Sequence, residues 1–181
     1  MKNMKSTKRT VQTKKLVLCG VFAALICAST MLLTIPTPTG GYIHCGDALV
    51  VLAGLYLGPI AGGISAGIGS MLSDAFLGYF SYVPATFVIK FLAAFCVGLL
   101  AHSLKSWRLN SKKRIFSVLL CSTLAAFIVV IGYFFYEWLL TSNAFAAAAS
   151  GIFSNCIQGL ASILISCLID SFLPKSLSIN N

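Results

Sequence analysis

The sequence has few charged residues, and acidic ones are the scarcest. Asp and Glu account for only four of its 181 residues, and charged residues of both signs for 9%. A soluble domain carries about 25% charged residues, because its surface must meet water. With 58% apolar residues and a mean hydropathy of +0.93, this chain cannot form such a surface. Its surface must meet lipid instead, which excludes a soluble globular protein.

The sequence also lacks the motifs of common catalytic and nucleotide-binding sites. It contains no CxxC and no HExxH, and GISAG (63–67), which has the spacing GxSxG, lies inside a long apolar run rather than at the strand-to-helix turn of a nucleophile elbow. The glycine-rich turn GPIAGG is followed by Ile64 where a phosphate loop requires lysine. Its seven cysteines are irregularly spaced, which indicates small apolar fillers rather than disulfides or metal ligands. We therefore predict no enzyme activity, cofactor or metal; an intramembrane enzyme without a recognisable motif is the alternative.

The long apolar runs define the membrane spans. Four of them reach the roughly 20 residues that cross a bilayer, and they cover 16–35, 84–103, 115–140 and 146–173. Segment 46–80 crosses once or twice, and charge decides between the two. Six Lys or Arg precede Leu16 and five lie in 105–114. Since such clusters prefer the cytoplasm, an even number of crossings separates them, and 46–80 crosses twice.

The predicted fold is an all-α integral membrane protein with six transmembrane helices and both termini cytoplasmic. Residues 1–15 form a basic cytoplasmic tail, and 16–181 form one domain whose helices cover about 16–35, 47–57, 60–80, 84–103, 115–140 and 146–173. Gly58–Pro59 is the turn between helices two and three, since glycine ends a helix and proline begins one. Helix two is short and must be shielded by its neighbours. Helix three, rich in small residues, is predicted to be central.

Polar residues are few within these spans. Lys or Asp at a helix centre costs about 2.5–3.5 kcal/mol on the insertion scale, so each needs a reason. Helices three and four meet near Tyr82, and residues equally far from that turn lie at one depth in an antiparallel pair. This places Asp74 level with Lys90.

The last two helices are predicted to meet near Ala146. The same argument places Glu137 level with Asn155, and Tyr133 level with Gln158. All of these polar groups fall in the outer half of the membrane. Further aromatic residues lie near that level: Tyr42, Tyr79, Tyr82, Tyr136 and Trp138. Together they favour a pocket that opens outward and binds a flat aromatic ligand.

The predicted ligand site combines polar groups with aromatic walls. Lys90, oriented by Asp74, lies with the acceptor Glu137 and two amides. The full set is Lys90, Glu137, Asn155, Gln158, Tyr133, Tyr79, Trp138 and Asp74.

Structural roles are the alternative for these groups. Asp74 and Lys90 form an ion pair that only joins two helices, the amides form interhelical hydrogen bonds, and Glu137 is an interfacial acid. Outside the set, Asp47 is predicted to cap helix two, and Asp170 to lie at the interface. His44 has no partner that the sequence identifies.

The first helix carries three small residues at intervals of four. Gly20, Ala24 and Ala28 form a stripe that allows another helix to approach closely. Either a partner protein or a neighbouring helix of this chain occupies it. Because no nucleotide site is present, a binding subunit that depends on a partner for energy is favoured. An ion-coupled carrier acting through Asp74 or Glu137 is the rival.

Three segments resemble the substrate-binding S components of energy-coupling factor (ECF) vitamin transporters, most closely the riboflavin/hydroxymethylpyrimidine-type branch. They are GGYIHCGDALVVLAGLYLGPIAGGISAGIGSMLSDAFLGYFSYVPATFVIK, GYFFYEWLL and NCIQGL, and the resemblance covers about residues 14–173. The series GDA…GP…SD…P…K is its most specific part.

The resemblance implies a multi-pass protein of the bacterial plasma membrane that captures a vitamin from outside. Its partners would be the lipid bilayer, a transmembrane coupling subunit and two cytoplasmic ATPases, as in an ABC importer, and no nucleic acid. An alanine stripe on the first helix meets the coupling subunit in that family, which corresponds here to Ala24 and Ala28, extended by Gly20. Hydroxymethylpyrimidine, pyridoxine and riboflavin are the candidate ligands.

Overall fold

A computed structural model of the chain describes residues 2–36, 42–104, 111–142 and 145–173, apart from the side chains of 2–11, 111 and 147. Within them lie six α-helices and one two-stranded antiparallel sheet. The helices are α1 (Lys2–Leu32), α2 (Asp47–Leu57), α3 (Pro59–Leu77), α4 (Val83–Leu104), α5 (Ser111–Leu140) and α6 (Phe145–Phe172). The strands β1 (Ile35–Pro36) and β2 (Tyr42–Ile43) pair between α1 and α2.

Short connections make successive helices reverse direction. Gly58 alone separates α2 from α3, and five residues separate α3 from α4. The connections after α1, α3 and α5 therefore lie at one end of the bundle, here called the hairpin end because it carries β1 and β2. The predicted turn at Gly58–Pro59 is where α2 meets α3, and the positive φ of Gly58 (81°) suits glycine.

The short helix α2, and not α3 as predicted, is central to the bundle. Ten of its 11 residues are buried, and it packs against all five other helices, whereas α3 packs against α1, α2 and α4. At 1.5 Å per residue α2 is only about 17 Å long, so it cannot cross the hydrocarbon core alone. Enclosure by the other helices keeps its ends out of lipid.

Glycines bring the backbones of α2, α3 and α4 into contact. A Cβ atom on Gly54 would lie 2.4 Å from the carbonyl oxygen of Ala94, and one on Gly62 would lie 2.5 Å from that of Ala53. A Cβ on Gly98 would lie 2.5 Å from the nitrogen of Pro59. Small residues are thus required where these helices cross.

The outer surface of the bundle is apolar. Large side chains such as Phe76, Phe127 and Leu164 are 63–72% exposed. Five helices, all except α2, are long and apolar enough to cross a membrane. The exposed apolar surface is what a lipid environment requires.

One face of α1 packs on the bundle and another is open. The carbonyl oxygen of Ala23 and the side chain of Ile26 lie against Gly69 of α3. Gly20, Ala24 and Ala28 are exposed, and nothing lies within 4 Å of a Cβ atom built on Gly20. Among the described residues, then, no neighbouring helix covers the stripe. Helix α1 also begins at Lys2, within the segment 1–15 predicted as a tail.

A buried ion pair joins three helices at the end opposite the hairpin end. Arg114 Nε lies 2.6 Å from Asp170 Oδ2, and the Tyr56 hydroxyl donates to Asp170 Oδ1 at 2.9 Å. Asp170, predicted at the interface, is enclosed by the protein at that end, since it is only 3% exposed. The cationic partner comes from α5, and it neutralises a carboxylate that lipid and protein would otherwise surround.

Candidate ligand-binding site

A polar cavity lies at the hairpin end. It is lined by α3, α5, α6, the start of α4 and the segment that holds β2 and the residues up to α2, here called the hairpin segment. The lining residues are Tyr42, His44, Asp74, Tyr82, Thr86, Tyr133, Glu137, Gly151, Ser154, Asn155 and Gln158. Its volume of about 30 Å³ holds one or two water molecules. A larger ligand therefore fits only if the lining moves.

The α5–α6 wall is built by two helix faces. Tyr133 and Glu137 are four residues apart on α5, and Gly151, Asn155 and Gln158 share one face of α6. The structure thus brings together the four residues that the depth argument placed level with each other. Gly151 gives Glu137 its space, because a Cβ atom there would lie 2.0 Å from Glu137 Oε2.

Lys90 has a different partner from the predicted one. Its Nζ atom lies 2.5 Å from Oδ1 of Asp47, and Asp47 Oδ2 accepts a hydrogen bond of 2.7 Å from Gln158 Nε2. Depth alone did not identify the partner, because α2 lies beside α4 and brings Asp47 to the same level. Asp47 is also not a helix cap: Gly46 occupies that position and no side chain caps the helix.

Lys90 is fully buried and lies behind the cavity wall. It is absent from the lining residues, and its Nζ atom lies 5.2 Å from the ring centre of Tyr133, in cation–π contact. The Tyr133 hydroxyl shares a hydrogen bond of 2.9 Å with Thr86 Oγ1. Lys90 therefore supports a wall residue and does not itself line the cavity.

Asp74 lines the cavity but is not the acid that orients Lys90. Its Oδ1 atom accepts a hydrogen bond from the hydroxyl of Tyr42, a residue of β2. The Tyr79 ring lies 4.7 Å from that of Tyr42, and Tyr79 supports this residue without lining the cavity. The Asp74–Lys90 pair predicted from depth is thus replaced by two separate contacts.

Trp138 also lies outside the cavity lining. It follows Glu137 directly, and one residue turns a helix by about 100°, which rotates its ring away from the cavity. The ring contacts Phe135 instead, at 6.3 Å between ring centres. Five of the eight predicted residues therefore line the cavity: Asp74, Tyr133, Glu137, Asn155 and Gln158.

His44 is the most informative residue that sequence reasoning missed. It is 7% exposed, its backbone N–H donates to Gln158 Oε1 at 3.0 Å, and its Nδ1 accepts from the Gly46 N–H at 3.0 Å. Burial lowers the pKa of His44 to about 4, against the opposing effect of Asp47. It is therefore neutral at pH 7, with its proton on Nε2.

Other missed residues carried a usable signal. Gly151 and Ser154 precede Gln158 by seven and four residues, so helical spacing alone assigns them to its face. No comparable pattern exists for Tyr42, which reaches the cavity through the pairing of β1 and β2.

The arrangement is suited to reversible binding. Two carboxylates, two amides, hydroxyls and aromatic rings converge in one small cavity, which is how proteins orient small ligands. Residues 10–174 match the family of ECF-type riboflavin transporter S components. The chain belongs to this family.

Proteins similar to this chain in sequence or in fold are also known. An uncharacterised protein of the gap 3′ region of Pyrococcus woesei is 30% identical over 141 residues, covering 77% of this chain and 88% of the relative. The structure of the S component of a bacterial ECF transporter has a TM-score of 0.64 at 20% identity and covers 89% of this chain and 95% of its own. The structure of FolT bound with folic acid has a TM-score of 0.65 at 18% identity and covers 90% of this chain and 96% of its own.

These findings confirm the predicted class. The chain is an ECF S component, a multi-pass protein of the cell membrane, and belongs to a transporter family rather than an enzyme family. S components bind a vitamin and associate with an ECF module. The two solved structures share the fold of this chain at low identity.

Removing Lys90 tests its pairing with Asp47. Lys90→Met leaves a buried carboxylate unpaired and is expected to lower the free energy of unfolding by about 3–5 kcal/mol. Adding Asp47→Asn removes that charge and should restore much of the loss, whereas adding Asp74→Asn should not. Thermal unfolding of the detergent-purified S component measures the stability of the single variant and of both double variants. Rescue by Asp74→Asn alone would contradict the observed pairing.

The neutral state of His44 predicts a pH dependence of stability. Its pKa is lowered in the folded state, from 6.5 to about 4. The unfolded state therefore binds more protons, and stability falls as the pH drops below 6.5. Wild type should lose about 2 kcal/mol more than His44→Asn between pH 7 and pH 5. Asn at 44 still offers an oxygen to the Gly46 N–H but does not titrate.

The exposed His102 supplies the matched control for this measurement. His102→Asn should follow the wild-type pH dependence of thermal unfolding. If His44→Asn follows it too, the burial of His44 does not govern acid sensitivity.

Proposed function

We propose that this S component captures a small heteroaromatic vitamin or precursor from outside the cell. Hydroxymethylpyrimidine, pyridoxine and riboflavin are the candidate ligands, in keeping with the riboflavin/hydroxymethylpyrimidine-type branch. The observation that carries the proposal is the cavity at the hairpin end, where Glu137, Asn155 and Gln158 meet the ring of Tyr133. Donors and acceptors beside aromatic faces suit a ring with hydroxyl or amino substituents.

Import then depends on partners. The proposed partners are a transmembrane coupling subunit and two cytoplasmic ATPases, because this chain has no nucleotide-binding motif. The exposed stripe of Gly20, Ala24 and Ala28 is the proposed docking surface. Its small residues allow a helix of the coupling subunit to pack closely against α1.

The proposed topology has six crossings, with both termini inside. It is supported by the distribution of Lys and Arg and by the reversal of direction at each connection. The cavity then faces outward, because it lies at the end away from the basic clusters.

Cysteine accessibility tests this topology. In a cysteine-free background, Phe80→Cys at the hairpin end should react with an impermeant thiol reagent in intact cells. Ile60→Cys, at the α2–α3 turn, should react only after permeabilisation. Both native side chains are exposed, at 71% and 65%. Labelling of residue 60 from outside would overturn the six-crossing topology.

Enlarging the stripe tests the partner-dependent mechanism. Ala24→Leu and Ala28→Leu should abolish vitamin uptake in cells that contain the ECF module, because bulk prevents close helix approach. Each purified variant should still retain the ligand identified by mass spectrometry of the wild-type protein. The control is Cys156→Leu, which enlarges an exposed position on α6 and should leave uptake intact. Equal loss of uptake and ligand retention would mean that the stripe only maintains the fold.

Reconstitution separates the proposal from an ion-coupled carrier that uses Asp74 or Glu137. In liposomes with a proton or sodium gradient, the chain alone should bind its ligand without accumulating it. Accumulation driven by the gradient would establish the carrier instead.

A further inference from the structure

Two buried carboxylate oxygens in the cavity region have no hydrogen-bond donor. Glu137 Oε2 and Asp74 Oδ2 lack a partner among the residues that the structure describes, and these residues are only 6% and 2% exposed. Leaving such an acceptor unpaired in a buried site is unfavourable, because the group has lost its hydrogen bonds to water. Both residues line the cavity, so a bound ligand is in position to supply the missing donors.

No cationic side chain neutralises the carboxylates of Glu137 and Asp74. The residues lining the cavity include no Lys or Arg, and Lys90 is bound to Asp47. The sequence has no Lys or Arg from residue 16 to 89 or from 115 to 174, so no other cation lies in any segment at the hairpin end. The cavity thus contains two carboxylates and no cationic side chain that would neutralise a bound anion.

Gly151 holds the Glu137 carboxylate in a defined place. A Cβ atom at 151 would lie 2.0 Å from Oε2 and 3.1 Å from Oε1, so the carboxylate fills the space of the absent side chain. Ser154 and Asn155 of the same helix line the cavity beside it. The unpaired oxygen is therefore held at the wall by packing.

We propose that Glu137 selects ligands that present an N–H group, either an amino substituent or a ring nitrogen, and that the cavity rejects anions. This inference rests on the proposed function, because it assumes that the cavity is the vitamin site. A nitrogen donor satisfies Glu137 Oε2, with Asp74 as the second acceptor. A carboxylate or phosphate would add a negative charge beside two acids, which disfavours binding in a water-poor site.

Matched ligand pairs test this selection. Binding to the purified full-length chain is measured for hydroxymethylpyrimidine, pyridoxamine and riboflavin, each against its own phosphate ester. In every pair that binds, the unphosphorylated member should bind roughly 10-fold or more tightly. Pyridoxamine should also bind more tightly than pyridoxine, which has a hydroxyl in place of the amine. Equal or tighter binding of the phosphate esters overturns the inference.

Two variants assign the selection to Glu137. Glu137→Gln keeps the size of the side chain and removes its charge, so the preference over the phosphate ester should fall roughly 10-fold. Gly151→Ala displaces the carboxylate without changing its charge, and should weaken binding of the unphosphorylated ligand. Cys156→Ser, on the exposed side of α6, should change neither value. Preferences unchanged in both variants overturn the role of Glu137.

The outcomes distinguish a failure of this inference from a failure of the proposed function on which it rests. Tight binding without discrimination overturns the selection rule and leaves vitamin capture standing. If none of the probes, including pyridoxine, binds to wild type, the proposed function and this inference are both overturned.

Discussion

The carboxylate of Asp47 connects the centre of this S component to its cavity. From the first turn of α2 it contacts Lys90 of α4 and Gln158 of α6, and none of the three is exposed by more than 5%. Because neither lipid nor a packed interior can replace these contacts, separating the charges leaves at least one of them uncompensated. The position of α2 and the shape of the cavity wall are therefore determined together.

The amide of Gln158 transmits this constraint to the cavity. Its nitrogen donates to Asp47 and its oxygen accepts from the backbone of His44, so its orientation is fixed from both sides. At the other end of α2, Tyr56 binds Asp170, which is also on α6. The short central helix is thus attached to α6 at both ends, which compensates for the few turns that it contributes.

The two proposed surfaces belong to different parts of the molecule. The cavity is lined by the hairpin segment and by helices α3 to α6, whereas the stripe of Gly20, Ala24 and Ala28 lies on an open face of α1. Helix α1 has the smallest buried share, 11%, among the five long apolar helices. A helix held by one face alone leaves the other available to lipid or to a partner.

The sequence by itself determined the membrane class, the presence of six helices and the common depth of Tyr133, Glu137, Asn155 and Gln158. Hydropathy, charge and distance from a turn vary along the chain, and a sequence records them directly. The tertiary structure alone decided that Lys90 pairs with Asp47 and that His44 is buried. These outcomes depend on the rotation of each helix and on its lateral neighbours, which depth in the membrane does not specify.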